Sequence, residues 1–281
     1  MSKRKVLIMT DSTADLSHQI LDQKRVVSLP LYVRFDDEIY RDGVDINPDQ
    51  LYQKVTEKQA LPTTAAISPG DFMKAFQKYI DLDYEIVYVG IGSKISATFQ
   101  SALIAKEEVA EDRIFLVDSQ NLSSGIALLV FKACDYRDQG FSAQEIKDKL
   151  DALVPRVRSQ FAIQTLDYLH KGGRASGTAK LMGTVLGIKP IIKVTGGKLD
   201  VYKKPAGKMS RALDIMISDI KNEKDNLDLD YVFVTHTLAN RQAVYMQEQI
   251  KDLSIKQVIE AHAGCVISAH CGPGTIGILY L

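Results

Sequence analysis

The sequence predicts an α/β protein built in two parts, a parallel-sheet layer followed by a mixed or antiparallel α/β layer. Three features carry that expectation. In the first half, short β-branched runs alternate with longer amphipathic stretches, the pattern of strands and helices that wind into a parallel sheet. Pro155 directly follows a helical stretch and marks a boundary. Beyond it apolar runs fall close together, two of them across Gly196-Gly197, as adjacent antiparallel strands do. The expected domains are therefore residues 1–154 and 155–281.

Each element has a local reason. Strands are expected at 6–9, closed by Asp11, at 26–33, broken by Pro30, and at 86–89 and 114–117. Continuous apolar runs of this kind suit strands covered on both faces. Helical spacing predicts helices over 47–58, with Pro48 in the first turn, 69–80, 96–109, 119–137 and 141–153. The second half offers strands at 160–163, 191–194, 199–202, 231–235, 257–260 and 277–281.

Composition narrows the function. With 281 residues the chain buries roughly 75% of its unfolded surface and needs no staples. Lys plus Arg and Asp plus Glu are both 35, so the basic excess of a general nucleic-acid binder is missing. Three cysteines at unrelated positions argue against a disulfide framework and fit a cytoplasmic protein. The apolar run after Lys5 is too short for a signal core, and no segment approaches the roughly 20 apolar residues of a membrane span.

Polar, hydroxyl-rich turns follow three strands: Thr10-Asp11-Ser12-Thr13, Gly90-Ile91-Gly92-Ser93 and Asp118-Ser119. Ligands of open parallel sheets bind at such carboxyl ends, where the same residues also cap helices. Familiar motifs fail in context. The spaced glycines of 272–277 are followed by only four residues, too few for a helix to receive a pyrophosphate. Residues 172–180 resemble a phosphate loop, but Thr178 stands where lysine must follow Gly177. Ser93 lacks the flanking glycines of a nucleophile elbow. His262, Cys265, His270 and Cys271 match no zinc spacing and read as a strand entering a loop, so no metal is expected. The remaining hydroxyls, one histidine and a few basic residues suit holding an anion better than cleaving a bond. The alternative is a phosphate- or acyl-ester hydrolase using Asp11, Ser93 or Cys271, for none of which a partnered base is visible.

Taken in order, these segments resemble the DegV family of bacterial fatty-acid-binding proteins across essentially the whole chain. The resemblance is carried by Thr10-Asp11-Ser12-Thr13-Ala14-Asp15-Leu16, Pro62-Thr63-Thr64 ahead of Ser68-Pro69-Gly70-Asp71-Phe72, and Ser93-Lys94-Ile95-Ser96-Ala97-Thr98-Phe99. It continues through Leu169-His170-Lys171-Gly172-Gly173-Arg174 and Ile188-Lys189-Pro190-Ile191 to Ser268-Ala269-His270-Cys271-Gly272-Pro273-Gly274. It implies a two-domain protein holding one long-chain fatty acid, such as a C16–C18 acid, between its domains. It also implies a non-catalytic role with no cofactor, in which the carboxylate is presented to a separate fatty acid kinase subunit. By motif position, Thr64, Ser96 and His270 match the carboxylate contacts, and Ser93, Lys171 and Arg174 a secondary or partner-facing set. Three departures stand out: Ala65-Ala66-Ile67 where Ser-Gln-Pro is frequent, Gly92 and Ala97 beside the Ser93–Ser96 turn, and Ala206-Gly207-Lys208 where many members carry Arg-Thr.

The chemistry behind such a site is simple. A buried methylene contributes roughly 0.8 kcal/mol, so a chain of about 15 carbons offers on the order of 12 kcal/mol before association costs. The head group needs donors, because an unpaired buried carboxylate is very costly. Thr64 and Ser96 offer hydroxyls, Ser96 sits at an expected helix start with free amides, and a charged His270 would strengthen the contact.

Overall fold

The computed structural model describes residues 4–176 and 187–281, with backbone alone at 175 and 176. Gly177 and Thr178 of the phosphate-loop comparison lie outside the described residues. The first half runs β1 (Lys5–Asp11), α1 (His18–Lys24), β2 (Val26–Leu29), β3 (Tyr32–Phe35), β4 (Glu38–Arg41), α2 (Pro48–Lys58), β5 (Thr63–Ala65), α3 (Pro69–Asp81), β6 (Tyr84–Gly90), α4 (Thr98–Val109), β7 (Ile114–Asp118), α5 (Ser124–Asp138) and α6 (Ala143–Leu153). The second runs β8 (Arg158–Ala162), α7 (Asp167–Gly172), β9 (Ala175–Ser176), β10 (Ile191–Thr195), β11 (Lys198–Lys203), α8 (Met209–Asn222), β12 (Tyr231–His236), α9 (Asn240–Gln249), β13 (Gln257–His262), α10 (Cys265–Cys271) and β14 (Ile276–Tyr280).

The mixed α/β class is as the sequence predicts. Strands β2-β1-β6-β7 form an all-parallel sheet, and β13-β12-β14-β8-β10-β11-β9 a seven-stranded mixed one. The β10–β11 hairpin turns at Gly196-Gly197, both at positive φ, which glycine alone adopts without strain. The hydrophobic core joins the sheets. Every residue of α5 from Ser124 to Cys134 is buried, because this helix packs against β1 and β6 on one side and β12 and β14 on the other. Phe131 stacks edge-on against both Tyr231 and Phe233.

Three local departures have clear causes. Pro30 does not merely interrupt one strand: it ends β2, and β3 then turns into a separate antiparallel sheet, β4-β3-β5, that the sequence did not announce. Helix α5 starts at Ser124 rather than 119. The Ser119 hydroxyl accepts from Asn121 N at 3.1 Å and the Asp118 carboxylate from Gln120 N at 3.0 Å, so the chain spends those residues in a side-chain-tied turn. The stretch expected as a strand entering a loop at Cys265 is instead helix α10.

Candidate functional site

Helix α10 is the hinge of the site. It packs against β3, β5 and α2 of the first half and α7 of the second. Its first amides are capped from far along the chain: Asp15 Oδ1 accepts from Gly264 N at 2.8 Å and Asp42 Oδ1 from Cys265 N at 2.7 Å. Burial pushes both carboxyls above the usual carboxylate range. At the other end, His270 Nε2 and Thr64 Oγ1, on β5, share a hydrogen bond of 2.8 Å.

His270 Nδ1 is buried and has no partner. It lies so close to Gly172 that a Cβ there would be 2.2 Å away, so only glycine leaves the ring its place. Burial, and secondarily the Arg174 guanidinium, push the imidazole down to about 4. It is therefore neutral at pH 7, so the added strength that a charged imidazole would bring is absent.

His270 also lines an apolar cavity of about 60 Å3, bounded by Leu122, Phe161, Leu169, Leu199, Ile267 and Leu279 among others. Its polar wall residues turn their hydroxyls into protein. Thr235 Oγ1 pairs with Ser124 Oγ at 2.6 Å, Thr237 Oγ1 with Tyr52 OH at 2.8 Å, and Thr275 Oγ1 donates to the Cys271 carbonyl at 2.7 Å. Ser123 Oγ donates to Asp15 Oδ2. What remains facing the space is hydrocarbon. Only Leu122 and Ser123 of the lining come from before residue 155.

The other expected residues sit as follows. Lys171 Nζ donates to the Leu61 carbonyl at 3.0 Å and Arg174 Nη1 to the Gly172 carbonyl at 2.7 Å, both exposed beside the His270–Thr64 pair. Ser96 is not joined to that pair by a hydrogen bond among the described residues. Its hydroxyl accepts from Thr98 N at 3.2 Å and pairs with Thr98 Oγ1 at 3.0 Å. Helix α4 begins at Thr98, so one of the amides expected to be free at Ser96 is already covered. The neighbouring Lys94 Nζ donates to the Gly196 carbonyl at 2.7 Å, tying this turn to the β10–β11 hairpin.

The hydrolase candidates fare differently. Asp11 is fully buried and accepts from Thr13 N, Ile91 N, the Tyr88 hydroxyl and the Thr13 hydroxyl, which leaves it no open face. Burial pushes the Cys271 thiol up to about 12, far from a thiolate. Ser93 does have a carboxylate partner, contrary to expectation: its hydroxyl donates to Asp118 Oδ2 at 2.6 Å and its amide to Asp118 Oδ1 at 3.0 Å. That fork ties two turns together, with no imidazole in it to take a proton.

His236, Glu260 and His262 offer ligand atoms within 4.8 Å of one another. Ala239 N donates to His236 Nδ1 at 3.3 Å, which places the ring proton on Nε2, 3.1 Å from Glu260 Oε1. Here His236 and Glu260 are joined as hydrogen-bond partners.

Fold and site together define a three-sheet α/β protein with an apolar cavity and, among the described residues, one unpartnered polar atom at its edge. The DegV family profile, described as an uncharacterised protein of that family, matches residues 5–281, and the chain belongs to the DegV family. It is 35% identical over 277 residues to a DegV domain-containing protein of Clostridium acetobutylicum, covering 99% of this chain and 98% of that one. The solved structure of a DegV family protein from Thermus thermophilus, described by its fatty acid binding, has a TM-score of 0.91 at 28% identity, over 98% of this chain and 99% of that one. A stearic-acid-binding protein from Eubacterium ventriosum has a TM-score of 0.87 at 28% identity, over 97% of each chain. Among the described residues no helix is long and apolar enough to cross a membrane.

Sequence reasoning missed Gly172 as a site residue and the two aspartates that cap α10. The Gly172-Gly173 pair was visible as part of a motif, but its purpose, room for an imidazole 98 positions later, was not.

Proposed function

We propose that this protein binds one long-chain fatty acid, with the hydrocarbon in the cavity lined by His270 and the carboxyl group at the His270–Thr64 pair. One observation carries the reading: an apolar cavity whose wall hydroxyls are all engaged elsewhere, edged by a single buried ring nitrogen that lacks a partner. A ligand with a long hydrocarbon and one polar end satisfies both halves of that description. Ser96 is a second contact reached if its hydroxyl turns from Thr98. In this reading Lys171 and Arg174, beside the His270–Thr64 pair, and Ser93 belong to the side on which a separate kinase receives the carboxyl group for acyl phosphate formation. In this reading the chain is a carrier in the cytoplasm, folded as two domains divided near residue 155, and does no chemistry itself. The similarity to fatty-acid-binding neighbours supports it.

Mass spectrometry of the purified protein, native and then after solvent extraction, tests the reading. A stoichiometric adduct that resolves into one or two long-chain acids is expected. A protein that is bare, and stays bare when palmitate is added, overturns it.

A further inference from the structure

Resting on the fatty-acid reading, we infer that the ligand enters together with one proton, which its carboxyl group and His270 Nδ1 hold between them as a neutral pair. The geometry that points there is the lack, among the described residues, of an uncommitted charge to receive an anion. Of their buried side-chain atoms without partners, only His270 Nδ1 belongs to a residue lining the cavity. The other ring nitrogen is already spent on the neutral Thr64 hydroxyl. The two nearby cations are exposed and committed, Lys171 Nζ to the Leu61 carbonyl and Arg174 Nη1 to the Gly172 carbonyl.

Charged and titratable groups surround α10: Asp167, Tyr168, His170 and Lys171 on α7 with Arg174 beyond it, Asp49, Tyr52, Lys54, Glu57 and Lys58 on α2, Arg34 on β3, and Asp15 and Asp42 at its start. Among the described residues the Arg174 charge is the one that bears on His270, and it opposes a positive imidazole. A bare carboxylate would thus meet a neutral ring in an apolar surround, an arrangement far costlier than protonation. Protonating a carboxyl group of ordinary pKa near 4.3 at pH 7 costs a factor of about 500 in population. Long-chain binding tolerates that factor, since each buried methylene returns roughly fourfold in affinity. The proton comes from solvent, and no covalent bond changes.

Calorimetric titration with palmitate at pH 7, in phosphate and in Tris, reads the proton directly from the buffer dependence of the heat. About one proton taken up per palmitate is expected, with affinity falling about tenfold between pH 7 and pH 8. Tight binding with equal heats in both buffers overturns the inference and leaves the fatty-acid reading intact. Absence of binding in either buffer overturns that reading too. His270→Gln, which keeps a partner for Thr64 but has no ring nitrogen to share the proton, should bind palmitate about tenfold or more weakly. Affinity and proton uptake both equal to wild type in that variant also sink the inference.

Discussion

Asp11, buried at the end of β1, and His270, part-buried near the end of α10, are both titratable groups shielded from solvent, yet they are built in opposite ways. Asp11 accepts from four protein donors around its two oxygens. His270 has one ring nitrogen bonded to Thr64 and the other left bare over Gly172. Burial shifts each toward its neutral form, Asp11 up and His270 down. A satisfied cluster holds the strand end together, and an unsatisfied one leaves a position for something else to bind. By sequence alone, Asp11 is a nucleophile candidate of the hydrolase alternative and His270 a ligand contact. Satisfaction, rather than residue type, separates the two.

The contrast is broken most strongly by removing Asp11. Asp11→Ala strands two buried amides and two hydroxyls, and should cost at least about 3 kcal/mol of unfolding free energy, read by urea denaturation. A variant within 1 kcal/mol of wild type would show that the cluster is not structural. Gly172→Ala acts on the other side of the comparison. The imidazole must move to admit the methyl group, so fatty-acid affinity should fall about 10- to 100-fold. Stability should change by less than about 1 kcal/mol, because alanine favours the end of α7. Equal affinity would mean that the ring has another place to go and that its position over Gly172 does not matter.

The opposite shifts give opposite responses to acid. His270 sits at about 4 when folded against 6.5 when unfolded, so its contribution is intact above 6.5 and is lost as pH falls toward 4. At pH 5 the loss is about 2 kcal/mol. Asp11, Asp15 and Asp42 are raised, so their cost of burial is relieved over the same fall in pH. His270→Gln removes the first response alone. The stability of wild type minus that of the variant should therefore drop by about 2 kcal/mol between pH 7 and pH 5 in paired denaturation curves. A difference that stays flat would place the acid response elsewhere.

Legibility in the sequence followed the range of the forces involved. The strands of the parallel sheet and helices α2, α3 and α6 could be read because their signals are local: apolar runs, and Asn47, Ser68 and Ser142 capping their own helices. Helix α10 could not. It has seven residues and no capping side chain of its own, and its caps arrive from Asp15 and Asp42, 249 and 223 positions away. The small sheet β4-β3-β5 was hidden for a similar reason, since its three-residue strand β5 exists by pairing with β3. The Thr64–His270 pair came through family resemblance alone, because nothing local links positions 206 apart. The cavity stayed invisible, as its walls share the composition of any core.

Thr64 and Ser96 sharpen the comparison on the smallest scale. Both entered as carboxylate contacts, but only Thr64 bonds His270, while Ser96 covers the Thr98 amide. Thr64→Val keeps the shape and β-branching of the side chain and removes the hydroxyl, so the ring loses the bond that orients it. One hydrogen bond of this kind contributes about 1 kcal/mol, which corresponds to a drop in fatty-acid affinity of roughly fivefold. Ser96→Ala should cost less than twofold in affinity, because the lost bond is one the protein makes to itself at a helix start. Its effect should appear instead as about 0.5–1 kcal/mol in denaturation. Both are measured by competition against a fluorescent fatty acid. The reverse order, with Ser96→Ala the more damaging to binding, would mean that the Ser96 hydroxyl leaves Thr98 when ligand arrives, and that the carboxyl group is centred on α4 rather than on α10.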